Sequence, residues 1–89
     1  MELELISGRF PLKDAEQILT DIFHVKIDYH HRKINMHYMS EENIQHAEKR
    51  IVALEETLRN ILRRIRESGK EMIDVHAHVE LSLAAPLAQ

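Results

Sequence analysis

The nine residues IDVHAHVEL, Ile73 to Leu81, hold the side chains best suited to chemistry in this sequence. His76 and His78 stand two apart, so on an extended strand both leave the same face with their roots about 7 Å apart. Two imidazoles at that spacing can converge on one ion, and Asp74 and Glu80 flank them with the same parity. With His37 as a further imidazole, the set His37, His76, His78 and Glu80 is a candidate site for zinc or nickel. Both metals accept imidazole and carboxylate ligands, and such sites can keep a position open. Imidazole also titrates near neutrality, so a histidine paired with Asp74 or Glu80 is a candidate general acid or base.

A plainer reading competes. An antiparallel sheet with one face on the core normally solvates its other face, and the alternation DVHAHVE has the pattern of such a strand. The sequence has no HExxH motif, and Gly8 and Gly69 are its only glycines, which leaves no glycine-rich loop to cradle a phosphate. On this reading His76 and His78 are the wet side of a strand, and the chain needs no cofactor and performs no chemistry of its own.

The composition narrows the setting. Over 89 residues, 44 % are apolar and 30 % charged, a balance that folds rather than stays disordered. The length points to one domain, residues 1–83, with 84–89 as a flexible tail. A formal charge of −3 offers no global attraction to nucleic acid or an anionic membrane. The sequence contains no cysteine, so neither disulfides nor thiolate chemistry enter. The acidic, alternating start MELELISGRF is unlike a signal peptide, and no apolar run reaches bilayer length, so the expected address is cytoplasmic.

The elements that must position these residues follow from periodicity. Glu2 to Leu5 alternate as a strand does, with Ser7-Gly8 as a bend or bulge. Pro11 suits the first turn of a helix, and Leu12, Ala15, Ile18, Leu19 and Ile22 recur at helical spacing, predicting a helix to about Phe23. The next segment alternates, with Val25, Ile27 and Tyr29, then Ile34, Met36 and Tyr38. A turn at His31-Arg32 would pair these residues across a hairpin with one buried face. Ser40 is an N-cap followed by acid, and Ile44, Ala47, Ile51, Leu54, Leu58, Ile61, Leu62 and Ile65 keep helical spacing until Ser68-Gly69. The run EMIDVHAHVELSLA supplies the last strand.

The resulting order is βαββαβ. It predicts a ferredoxin-like α+β sandwich, an antiparallel four-stranded sheet with two helices on one face. In that fold the open sheet face collects the histidines. The second helix is too long for it: about 28 residues span roughly 40 Å, against some 23 Å for a seven-residue strand. Its distal apolar residues Leu58, Ile61, Leu62 and Ile65 then either cover the chain's own core, if the helix kinks or tilts, or need a partner, for which a second copy is the economical choice. On the same helix, Arg59, Arg63 and Arg66 form a stripe able to meet phosphates, although Glu55 stands four residues before Arg59 as an ordinary ion-pair partner.

The function this supports is a small non-catalytic interaction module or homodimer associating through the long second helix. The metal or histidine site on the open face is the alternative, and a nucleic-acid contact through the arginines is a third reading.

Overall fold

The computed structural model describes residues 1–35 and 40–84 and has the order β1 (Glu2–Pro11), α1 (Leu12–Ile34), α2 (Glu41–Glu67), β2 (Met72–Glu80). The ferredoxin-like expectation is therefore wrong: among the described residues two helices accompany a two-stranded antiparallel sheet in the order β-α-α-β. The predicted hairpin over residues 25–38 is replaced through Ile34 by a continuation of α1. Met36, His37 and Tyr38 lie outside the described residues, as does the tail from residue 85.

The reason lies in a segment that carries two periods at once. Val25, Ile27 and Tyr29 alternate, yet Phe23, Ile27, His30 and Ile34 also recur at steps of four, three and four, a helical stripe. A helix already running through Phe23 adds each further residue without a new nucleus, whereas a hairpin must be nucleated separately. The proposed turn at His31-Arg32 lacks the glycine or asparagine that would make it competitive. Ile27 and His30 are accordingly buried.

The start of each helix and the end of α2 are accounted for. Pro11 precedes α1, and the Leu12 backbone N–H donates to the Glu71 carbonyl at 2.9 Å, tying the start of the helix to the residue before β2. Ser40 caps α2, its Oγ accepting from the Asn43 N–H at 3.2 Å. Gly69 ends the connection with φ +71°, a left-handed conformation that costs glycine little.

The ribbon sorts its residues by face. Leu3, Ile6, Gly8 and Phe10 stand opposite Val79, Ala77, Val75 and Ile73, while Glu4, Ser7 and Arg9 stand opposite His78, His76 and Asp74. The register shifts between Glu4 and Ile6, a bulge at Leu5 rather than at Ser7-Gly8. One extra residue there returns Ile6 to the face of Leu3, which strict alternation would have denied it.

The packing is thin. α2 packs along α1, whereas the ribbon meets α1 over a much smaller contact. Ala15, Ile27, Ala47, Ile51, Leu58 and Val75 are the buried apolar residues, and among the described residues no large side chain is completely enclosed. The molecule measures 51 × 30 × 15 Å with a radius of gyration of 16.7 Å. A compact chain of this length has a radius of about 12 Å. The structure is a single flat layer instead of two layers around a core.

Candidate functional site

Three groups of side chains stand out: the polar face of the ribbon, the exposed sides of the helices, and a cleft between the helices.

On the ribbon, His76 and His78 leave the same face, as their spacing requires, and Asp74 and Glu80 share it. Cross-strand neighbours engage them. Ser7 Oγ and His76 Nδ1 are hydrogen-bonded at 3.0 Å, and His78 Nε2 lies 3.9 Å from Glu2 Oε1. Arg9 donates to both oxygens of Asp74, at 2.8 and 3.2 Å. That two-point hydrogen bond, with the guanidinium charge, holds the Asp74 carboxyl below the usual carboxylate range. Glu80 faces Glu2 across the strands. Among the described residues no group of three or more histidines and carboxylates converges on a point where an ion would sit. His37, the remaining member of the predicted set, lies outside those residues. The face is a ladder of pairs open to water.

On α2, the predicted apolar stripe faces α1. Leu58 is buried, whereas Ile61, Leu62 and Ile65 are half-buried. The spacing of Ile44, Ala47, Ile51, Leu54, Leu58, Ile61 and Ile65 alternates three and four throughout, the heptad pattern of helices that pack lengthwise. The three predicted arginines of that helix have different surroundings. Arg63 donates to Asn60 Oδ1 at 3.1 Å, and Arg66 donates to both carboxylate oxygens of Glu16 on α1, at 3.1 and 2.8 Å. Arg59 is exposed and makes no ion pair among the described residues.

α1 bears a second apolar stripe that the hairpin prediction concealed. Ile18, Ile22, Val25 and Tyr29 follow steps of four, three and four, one side of a helix. Ile18 and Ile22 are half-buried, while Val25 is 69 % and Tyr29 49 % exposed. Lys33 covers part of this stripe, its Nζ lying 5.5 Å from the centre of the Tyr29 ring.

The cleft lies between the helices, lined by Lys26 and His30 of α1 and by Arg50, Ala53, Leu54 and Thr57 of α2. Alternation over residues 25–38 hides it, because on a strand Lys26 and His30 would not face α2. Read as a helix, Lys26, His30 and Lys33 stand at steps of four and three, and Arg50 and Thr57 stand seven apart, so each set lines one side.

Among the described residues no helix is long and apolar enough to cross a membrane. No protein family, curated protein or solved structure matches this chain.

Proposed function

We propose that this protein is a non-catalytic association module of the cytosol, a homodimer in which the helical hairpin of one copy completes the core of the other. One observation carries this reading. The chain exposes 7695 Å². A compact monomer of 10.5 kDa exposes about 5,400 Å². The excess of about 2,300 Å² per chain, taken over two copies, falls in the range that obligate dimers bury.

The apolar residues needed for such an interface are present. The stripe Ile18, Ile22, Val25 and Tyr29 on α1 has the spacing of a helix seam, and Val25 and Tyr29 are left exposed by the described residues. Ile61, Leu62 and Ile65 on α2 are half-buried and keep apolar area exposed, so both helices contribute. Leu58, buried within the hairpin, supports the interface from beneath instead of contacting the partner. A two-fold pairing of two hairpins gives four helices packed lengthwise, a common way to bury heptad stripes.

The test is the mass in solution. Sedimentation equilibrium at 10 to 100 µM is expected to give twice the chain mass. Val25→Glu with Tyr29→Glu is expected to give a folded or partly folded monomer. A wild-type chain that stays monomeric throughout this range overturns the proposal.

A further inference from the structure

The cleft between α1 and α2 holds three observations that the association reading does not use. First, the His30 side chain is enclosed, the residue being only 8 % exposed, and its Nε2 has no hydrogen-bond partner among the described residues. Buried polar atoms are normally paired, so an orphan of this kind needs an explanation. Secondly, its neighbours are basic. Lys26 and Lys33 on α1 and Arg50 and His46 on α2 all act on the imidazole and, with burial as the larger cause, hold it below its ordinary range. Thirdly, Lys26 and Arg50, which line the cleft, make no salt bridge to a carboxylate among the described residues. Arg50 spends its Nε on His46 Nε2, at 3.4 Å, a weak use of a guanidinium. In a chain whose formal charge is −3, Lys26 and Arg50 thus bring two uncompensated positive charges to the rim of the cleft that encloses His30.

We infer that this cleft binds a single tetrahedral oxyanion: phosphate, either free or as the end group of a phosphomonoester. Lys26 supplies a point charge, Arg50 a forked donor, and the Thr57 hydroxyl a neutral donor from the next turns of α2. His30 completes the set by rotating about its Cβ–Cγ bond so that Nε2–H meets the anion. The donors come from two helices on opposite sides, an arrangement that suits four oxygens directed to the corners of a tetrahedron better than a flat carboxylate. The cleft has a volume of about 150 Å³. That is below the range of about 300 to 1,000 Å³ typical of organic ligands, so it takes one small group. An anion placed there satisfies the orphan nitrogen and compensates the cations together.

The proposal is tested on the whole chain at pH 7 with the ring signals of His30 assigned by NMR, titrating inorganic phosphate, methyl phosphate and acetate in turn at constant ionic strength. Phosphate or methyl phosphate is expected to shift the His30 ring and saturate at one ion per chain, with submillimolar affinity. Tighter binding of methyl phosphate assigns the site to a phosphomonoester, and binding of inorganic phosphate alone assigns it to the free ion. Lys26→Gln and Arg50→Gln are each expected to weaken binding at least tenfold, with Arg59→Gln leaving it unchanged. Circular dichroism of each variant confirms that the helices persist. A His30 ring that fails to saturate below 50 mM of either phosphate overturns the inference, as does an equal response to acetate or to phosphate in the Arg50→Gln protein. The oligomeric state enters none of these readouts, so this inference and the homodimer stand or fall separately.

Discussion

Glu16 and Arg66, fifty residues apart in sequence, close the base of the helical hairpin with two hydrogen bonds, Nη2 to Oε2 at 2.8 Å and Nε to Oε1 at 3.1 Å. The Glu16 side chain keeps only 21 % of its exposure, against 57 % for Arg66, so the carboxylate is the sheltered partner. The hydrogen bonds from Arg66 hold its carboxyl below the usual range despite the opposing effect of burial. Arg9 and Asp74 on the ribbon make the same two-point contact but are 69 % and 52 % exposed.

This contrast predicts the order of two coupling energies. In double-mutant cycles with Glu16→Gln and Arg66→Gln, and with Arg9→Gln and Asp74→Asn, the first pair is expected to show the larger coupling. Both couplings should shrink between 50 mM and 1 M salt. Equal coupling in the two cycles would contradict the shelter assigned to Glu16.

The hairpin seam should dominate stability. Ile51→Ala or Leu58→Ala removes buried methyl and methylene groups from a contact with little else behind it, and is expected to cost about 2–5 kcal/mol in urea unfolding. Arg59→Ala, on the exposed side of the same helix, is expected to leave the unfolding midpoint unchanged. A Leu58→Ala protein as stable as the wild type would place the core elsewhere.

Stability should fall in two separate acid ranges. His30 is held below its ordinary value by burial and by Lys26, Arg50, Lys33 and His46. The unfolded chain therefore takes up a proton at higher pH than the folded one. By linkage, stability is full above the unfolded value of about 6.5 and is lost as pH falls toward the folded value. Glu16 and Asp74 act lower, because their carboxyls are depressed by Arg66 and Arg9. Their contribution is present above the ordinary carboxylate range and disappears as pH falls through their folded values. Urea midpoints measured from pH 8 to 3 should show both falls, and His30→Gln should remove the first while keeping the second. If His30→Gln retains the loss just below pH 6.5, another histidine causes it.

The ribbon histidines should behave as surface imidazoles. Zinc added to the wild-type protein is expected to move the His76 and His78 ring signals without saturation at one ion per chain. Ser7→Ala, which frees His76 Nδ1, is expected to change the His76 ring signal alone. One-to-one saturation lost in a His76→Ala, His78→Ala protein would restore the metal reading.

Much of this was legible in the residues. The α2 boundaries follow from Ser40, which caps the helix, and from Gly69, which alone among the described residues takes a positive φ. The parity of Ile73, Val75, Ala77 and Val79 against Asp74, His76, His78 and Glu80 is set by strand geometry and needs no partner to be read. The stretch from Val25 to Ile34 was different, because its apolar residues satisfy a period of two and a period of 3.6 together. Local sequence cannot choose between two periods. What chose was the cost of nucleating a hairpin against the small cost of extending α1, and the burial of Ile27 and His30 beside α2.

That choice then decided the rest. With the hairpin gone, the sheet has two strands among the described residues, His30 lies on a helix instead of beside His76 and His78, and it meets Arg50 across a cleft that no spacing within either segment announces. By itself the sequence determined the periodic elements, the caps and the sorting of faces, because these depend on neighbours a few residues away. The tertiary structure alone decided which helix lies against which, that Arg66 reaches Glu16, and that a flat layer is left with apolar area to cover. Those outcomes depend on contacts between residues far apart in the chain, whose strength is measured only when the elements meet.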